Sequence, residues 1–134
     1  MKLGAPKRKN KYNARRRFAF GEWFDSQAEY DYMCVLLLLK SAQKIIWFAH
    51  HPGRIELAPG ITYEPDFIVM DPDLSVYYVE VKGIQQATWL IKKKLWLSNG
   101  PRPLKVVKQR KHLMFDLIGE VKPVCRPERI QLTL

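Results

Sequence analysis

Residues 63–83 have the sequence YEPDFIVMDPDLSVYYVEVKG, and this stretch decides the fold. The two apolar runs on either side of its middle are rich in β-branched and aromatic residues, which is typical of strands. The residues between the runs contain Asp and Pro, as a hairpin loop does. We therefore predict two strands, at Ile61–Met70 and Val76–Lys82, that pair with each other in one sheet.

Helices are predicted before and after this hairpin. Ser26 followed by Glu29 fits a capping box and predicts a helix that runs to about Ser41. A second helix is predicted at Thr88–Ser98, and Gly100 follows its end. Further short strands are predicted at Ile45–Ala49, Arg54–Leu57, Leu104–Val107 and Ile130–Leu134, with a short helix at His112–Ile118.

This order of elements predicts an α/β fold, a small mixed β-sheet flanked by helices. Residues 1–17 lack apolar periodicity and are predicted to be a flexible, disordered basic N-terminal arm. Residues 18–134 are then expected to form a single domain, because domains usually have roughly 100–200 residues.

Charge is distributed unevenly along the 134 residues, whose formal net charge is +10. Residues 1–17 carry eight positive side chains and no acid, residues 18–80 have a net charge of −7, and residues 81–134 have +9. Two basic stretches around an acidic one favour a polyanionic partner, nucleic acid above all.

Simple counts argue against membrane and disulfide-rich classes. The longest unbroken apolar run, Met33–Leu39, has seven residues, whereas about 20 are needed to cross a bilayer. Cys34 and Cys125 are too few for a disulfide framework or a zinc site. No apolar stretch follows the basic N-terminus, so we expect no secretory signal, no membrane partner and a cytoplasmic location.

Three charged residues stand out because of their place on the predicted hairpin. Asp66 follows a proline, and Glu80 and Lys82 lie in the second strand. Since residues i and i+2 of a strand share a face, Glu80 and Lys82 point to one side, and Val79 and Val81 point to the other. Pairing of the strands brings the carboxylates of Asp66 and Glu80 to one edge. Charged groups on a central strand are costly unless they are paired or bind a metal.

These residue types suit a magnesium site. Mg²⁺ prefers oxygen ligands in an octahedron that waters complete, and Asp66, Glu80 and the backbone carbonyl of Val81 provide such ligands. A bound metal lowers the pKa of a water and neutralises charge on a scissile phosphate. Lys82 is then placed to orient or deprotonate that water. The alternative is an ordinary Glu–Lys pair on a half-exposed strand, which stabilises little.

Two other features receive less weight. His50 and His51 are not expected to chelate one ion, because they are adjacent residues on a predicted turn. Trp96 lies beside a run of lysines and is the best candidate for stacking on a base, although a place in the core is favoured for each tryptophan.

The segments Tyr63–Phe67 and Val79–Gly83 resemble the signature of the PD-(D/E)XK nuclease superfamily, and in particular small phage-type Holliday-junction-resolving endonucleases. The resemblance implies an α-β-β-β-α-β nuclease core, which agrees with the predicted element order. It also implies that Asp66 and Glu80 bind Mg²⁺ or Mn²⁺ and that Lys82 is catalytic.

The resemblance further implies an acid on the first helix that joins the metal site and assists catalysis. The segment 24–29 matches that part of the family and places Glu29 there, with Asp25 as the alternative. A capping box explains Glu29 equally well. The second helix of such nucleases often lends one more residue, and spacing does not choose among Gln85, Gln86, Lys92, Lys93 and Lys94.

Basic side chains of the arm and of the second half are the candidate DNA contacts, since they neutralise phosphates without reading bases. The candidates are Lys7, Arg8, Lys9, Arg15, Arg16, Arg17, Lys92, Lys93, Lys94, Lys108, Arg110 and Lys111.

The function implied is a Mg²⁺-dependent endodeoxyribonuclease that acts on branched or junction DNA in a bacterial or phage-infected cell. Symmetric cutting of two strands needs two active sites and favours a homodimer. Two alternatives stay open. One is a non-enzymatic nucleic-acid-binding or assembly module on the same fold, and the other is a homing or restriction-type endonuclease.

Overall fold

The computed structural model of the protein describes residues 16–82 and 87–124. In chain order these residues form β1 (Arg17–Ala19), β2 (Glu22–Phe24), α1 (Gln27–Ser41), β3 (Trp47–His50), β4 (Ile55–Ala58), β5 (Ile61–Tyr63), β6 (Phe67–Met70), β7 (Val76–Val81), α2 (Ala87–Asn99), β8 (Leu104–Lys111) and β9 (Met114–Val121). Neither helix in this part of the chain is long and apolar enough to cross a membrane. The strand predicted at Ile130–Leu134 lies outside the described residues.

The central sheet has five strands in the order β3-β6-β7-β8-β9. β6 and β7 pair antiparallel, with Phe67 opposite Val79, so the predicted hairpin is confirmed. β7 and β8 pair in parallel, and α2 connects them along the chain. Two smaller sheets, β1-β2 and β4-β5, have two strands each. The fold is therefore α/β with a mixed central sheet, as the sequence predicts.

α1 begins at the predicted capping box. The side chain of Ser26 accepts a hydrogen bond from the backbone N–H of Glu29 at 3.1 Å. The carboxylate of Glu29 in turn accepts one from the N–H of Asp25, also at 3.1 Å. The helix start thus satisfies otherwise free N–H groups, and it holds the Glu29 side chain close to the chain that precedes the helix.

The two helices pack on opposite faces of the central sheet. Leu36 of α1 packs in one core cluster with Val79 and Val81. Trp96 of α2 packs in a second cluster, beside Tyr78. Trp96 is fully buried and its Nε1 donates to the Arg102 carbonyl at 2.9 Å, so it belongs to the core and is not available for stacking on a base.

The predicted strand Ile61–Met70 is wrong in one respect, because it is interrupted. β5 ends at Tyr63 and pairs with β4, whereas β6 begins at Phe67 in the central sheet. Pro65 lies between them, lacks the N–H that a strand would donate and restricts the residue before it. The break places Tyr63 in a different sheet from the residues of β6.

The helix predicted at His112–Ile118 is also wrong. Met114–Val121 form strand β9, which pairs antiparallel with β8. β8 extends to Lys111, beyond its predicted end, and a second strand satisfies its backbone N–H and C=O groups. Pairing with the neighbouring strand in a hairpin therefore overrides the local pattern of this short segment.

Arg16 and Arg17, which the sequence assigns to the flexible arm, are part of the folded chain. Arg17 begins β1 and its guanidinium lies 3.7 Å from the ring centre of Tyr30. Arg16 forms an ion pair with Asp25 at 3.2 Å. Both candidate DNA contacts therefore already have partners within the protein.

Candidate metal centre

Asp66 and Glu80 face each other at the ends of β6 and β7. Extending the observed register by one residue places Asp66 opposite Glu80, and directly opposite side chains share a face. Oδ2 of Asp66 accepts a hydrogen bond from the N–H of Val81 at 2.8 Å. Glu80 accepts a hydrogen bond from the hydroxyl of Tyr63. The structure thus brings the two carboxylates together, while Val79 and Val81 are buried on the opposite face.

The pKa values of both carboxyl groups are raised. Burial raises the pKa of Asp66 well above its ordinary value, and the negative charges of Glu80 and Glu29 raise it further. Burial also raises the pKa of Glu80 to about 7, although the hydrogen bond from Tyr63 and the charge of Lys92 lower it. The ionised pair is therefore unfavourable without a cation.

A divalent cation fits this donor set. Two carboxylates on adjacent strand ends are the oxygen ligands that Mg²⁺ or Mn²⁺ prefers. Val81, whose carbonyl is the third predicted donor, lies at the end of β7 beside them. A cation between Asp66 and Glu80 would offset the cost of burying their charges, which is the main cause of both raised pKa values, and the repulsion by Glu80 that raises the pKa of Asp66 further.

Glu29, the predicted acid of the first helix, is held by two histidines. The residue is only 2% exposed. Its Oε1 lies 2.5 Å from Nε2 of His50 and 2.9 Å from Nε2 of His51. Burial alone would raise the pKa of Glu29, but the hydrogen bonds with both histidines outweigh it and lower that pKa. The charge of Glu29 also raises the pKa of Asp66 and of Glu80, so Glu29 borders the site.

Asp25, the alternative to Glu29, has a different environment. It is exposed, and its carboxylate forms the ion pair with Arg16. The charges of both acids raise the pKa of Asp66, but Glu29 is the buried one and its charge also raises the pKa of Glu80, so the structure favours Glu29 over Asp25 as the residue that borders the carboxylate pair.

His50 and His51 point in the same direction, contrary to the argument from sequence. His50 ends β3, and His51 has a φ of 49°, in the left-handed region that side chains rarely adopt. Their rings stack with centres 3.7 Å apart. The ligand atoms of Glu29, His50 and His51 all lie within 4.8 Å of one another. Adjacent residues on an ordinary backbone would not bring their rings together in this way, and the following Pro52–Gly53 is the sequence signal of an unusual turn here.

Lys82 follows the end of β7. Its backbone N–H donates to the carbonyl of Val107 at 2.8 Å and so continues the pairing of β7 with β8. The alternation along an extended chain places the Lys82 side chain on the same side as Glu80, and this side chain is partly exposed.

Lys92 is the described candidate on the second helix that approaches the site. Its Nζ lies 5.7 Å from the ring centre of Tyr63, and its charge lowers the pKa of Glu80. Lys93 and Lys94 are exposed and line a groove of about 420 Å³ together with residues of β9. Gln85 and Gln86 lie outside the described residues.

The other candidate DNA contacts are on a different element. Lys108, Arg110 and Lys111 are exposed near the end of β8, and Arg110 lies 3.6 Å from Asp116. Lys7, Arg8, Lys9 and Arg15 lie outside the described residues. The described candidates are therefore spread over α2, β8 and the start of the folded chain.

Comparison with curated proteins gives no match. The model of a family described as proteins of unknown function, DUF1064, matches residues 9–113. This range includes Glu29, both histidines, Asp66, Glu80 and Lys82. Because the match spans most of the 134 residues, the chain belongs to the DUF1064 family.

Proposed function

We propose that the protein is a metal-dependent DNA endonuclease of the PD-(D/E)XK type. The observation that carries the proposal is the pair of facing carboxylates, Asp66 and Glu80, whose pKa values are both raised by burial. Strongly shifted carboxyl groups that face each other are typical of catalytic and metal-binding sites. Lys82 on the same side as Glu80 adds the third residue of the motif.

The order of elements supports the proposal. With β4 and β5 left out, the order α1, β3, β6, β7, α2, β8 is compatible with the α-β-β-β-α-β order that the resemblance implies. Asp66 precedes β6, and Glu80 lies near the end of β7. The small β4-β5 sheet is an addition between β3 and β6, and it contributes Tyr63 to the site.

Each residue of the site has a proposed role. Asp66 and Glu80 hold Mg²⁺ or Mn²⁺, with the carbonyl of Val81 as a further donor. When bound, the ion neutralises charge on the scissile phosphate and lowers the pKa of a water. Lys82 orients the attacking water or accepts its proton, and Glu29 adds negative charge at the border of the site.

The proposed substrate is DNA with a branch or junction. Exposed lysines and arginines on α2 and β8 contact phosphates, which positions DNA without reading its bases. We propose a major-groove role for neither described helix. We therefore expect the protein to recognise the shape of DNA and not its base sequence. Cutting of both strands favours a homodimer, and the proposed setting is the cytoplasm of a bacterial or phage-infected cell.

The test is a cleavage assay with the full chain. A labelled four-way junction and a linear duplex of matched sequence are incubated with the protein and Mg²⁺, Mn²⁺ or a chelator. We expect cleavage that requires the metal and is faster on the junction. Asp66→Asn and Lys82→Met should each lower the rate by at least about 100-fold.

The matched control is Glu120→Gln, because Glu120 is an exposed acid on β9. Circular dichroism and DNA binding should be unchanged in all three variants. Binding of junction DNA without any cleavage by the wild type would favour the alternative of a non-enzymatic binding module. Full activity of Asp66→Asn would contradict the proposed site.

A further inference from the structure

We propose that Glu29, His50 and His51 form a second site, which binds a divalent transition-metal ion that prefers imidazole ligands, such as Zn²⁺ or Co²⁺. Oε1 of Glu29 lies 2.5 Å and 2.9 Å from the two Nε2 atoms, and the three donors are within 4.8 Å of one another. Donors around a zinc ion are about 3–3.5 Å apart, since each lies roughly 2.0–2.2 Å from the metal. Small side-chain rotations are therefore enough to admit the ion.

The backbone holds the two imidazoles side by side. The φ of 49° at His51 turns its side chain to the side of His50, and the rings stack at 3.7 Å. The N–H of His51 donates to the carbonyl of Asp66 at 2.9 Å, which fixes this conformation against the central sheet. A non-glycine residue in the left-handed region is strained, and such residues are concentrated at binding and active sites.

The surroundings of the second ring nitrogen of His50 support the metal site independently. The His50 side chain is 1% exposed, and its Nδ1 is buried without a hydrogen bond to any described residue. Oε2 of Glu22 lies 3.4 Å from this Nδ1. Histidines that bind a metal through one nitrogen commonly direct the other to a carboxylate. The His51 side chain is 32% exposed, which leaves a path for the ion and room for water ligands.

The donor set selects a different ion from the one proposed for Asp66 and Glu80. Two imidazoles and one carboxylate are typical of zinc sites with three protein ligands and an open position. Mg²⁺ instead prefers oxygen ligands alone. In this arrangement Glu29 is a ligand of the second ion. The inference goes beyond the proposed nuclease function and does not require that the protein cleaves DNA.

The experiment is titration of the full chain with Co²⁺, followed by visible absorption. Nitrogen ligands and a low coordination number give more intense bands than a six-coordinate site of oxygen ligands. We expect an intense band that saturates at one equivalent and disappears when Zn²⁺ is added. Cu²⁺ bound to the wild type should show nitrogen hyperfine splitting in its electron paramagnetic resonance spectrum. A weak band and no nitrogen splitting would overturn the proposal.

Variants assign the band to its ligands. His51→Ala should lower Zn²⁺ affinity by at least about tenfold, and its partial exposure makes it the substitution least harmful to folding. The matched control is His112→Ala, an exposed histidine in the β8–β9 turn, which should leave the affinity unchanged. An unchanged band in His51→Ala refutes the site. If that variant does not fold, the Cu²⁺ spectrum of the wild type decides.

The same titration separates this proposal from the nuclease proposal. The double variant Asp66→Asn/Glu80→Gln should lose cleavage and keep the intense Co²⁺ band. Loss of the band in that variant would place the ion between the two carboxylates and overturn the second site. A wild type that shows the band but cleaves no DNA would refute the nuclease and leave the second site intact.

Discussion

Tyr63 donates its hydroxyl hydrogen bond to Glu80, although the two residues lie in different sheets. Tyr63 belongs to β5, which pairs with β4, whereas Glu80 belongs to β7 of the central sheet. Burial and the charge of Glu80 raise the pKa of Tyr63, so the phenol stays protonated and remains a donor. The β4-β5 sheet is therefore part of the candidate metal centre.

Tyr63→Phe should weaken cation binding near neutral pH. The lost hydrogen bond lowers the pKa of Glu80 in the wild type, so the variant should have a pKa above about 7 and protons should compete more strongly with the metal. We expect a loss of Mn²⁺ affinity of up to about tenfold, measured by calorimetry at about pH 7. The affinities should converge at about pH 9. Equal affinities at about pH 7 would show that the bond does not control Glu80.

Without metal, the stability of the protein should fall as the pH rises. The pKa of Glu80 is raised from 4.5 to about 7 in the folded state, so the folded protein binds this proton more tightly than the unfolded chain does. The resulting stability is complete below about pH 4.5 and is lost as the pH rises through about 7.

Glu80→Gln should remove the part of the pH dependence that comes from Glu80, about 3 kcal/mol. Asp66, whose pKa is also raised, keeps its own part. Urea unfolding at about pH 5 and about pH 8 measures the pH dependence. At the higher pH we expect the variant to be more stable than the metal-free wild type. Saturating Mg²⁺ should stabilise the wild type and have less effect on the variant. A variant that is less stable at both pH values would contradict the proposed cost of ionising the buried Glu80.

Lys92→Met should reduce cleavage by at least about tenfold, because Lys92 provides positive charge beside Tyr63 and Glu80. Lys93→Met is the matched control, since Lys93 is exposed on the same helix. Rates under single-turnover conditions separate this effect from DNA binding, to which both lysines are proposed to contribute. Equal cleavage rates for the two variants would show that Lys92 has no specific role in the site.

Gly100→Ala should destabilise the protein. A Cβ at Gly100 would lie 2.6 Å from Nε1 of Trp96, which is closer than such atoms approach. The Trp96 ring is fully buried and donates a hydrogen bond to the backbone carbonyl of Arg102, so it has little freedom to move. We expect a loss of about 1–3 kcal/mol in the free energy of unfolding, measured with urea.

Gly119→Ala is the control for that substitution, because the nearest atom, Cβ of Val106, would be 3.9 Å away. Its stability should stay within about 0.5 kcal/mol of the wild type. Equal losses for the two glycine variants would mean that contact with Trp96 is not the cause.

Local signals in the sequence predict the parts of the fold that depend on near neighbours. The capping box at Ser26 and the hairpin between Asp66 and Glu80 both follow from residue types at short spacing, and the structure has them. The facing carboxylates are predictable for the same reason, since a short hairpin leaves few possible registers.

Features that depend on distant contacts are not predictable in this way. The helix predicted at His112–Ile118 is an exception, because β9 pairs with the adjacent strand β8 across the turn at residues 112–113, and the error is one of local pattern. The contact of Glu29 with His51 depends on the φ of His51; the following Pro52–Gly53 signals a turn but does not specify this backbone angle. The position of Tyr63 in a separate sheet depends on the break at Pro65. The sequence shows the proline, but it does not show how the proline changes the pairing of the strands.

The register of β6 and β7 determines both the packing of the core and the geometry of the candidate site, because the same backbone hydrogen bonds fix both. The pairing of Phe67 with Val79 that buries Val79 against α1 is the same pairing that places Glu80 opposite Asp66. A slip of one residue would turn the Glu80 side chain toward α1 and move Val79 to the side of the candidate site. Substitutions at apolar core positions of this hairpin can therefore inactivate the candidate site without changing any of its polar side chains.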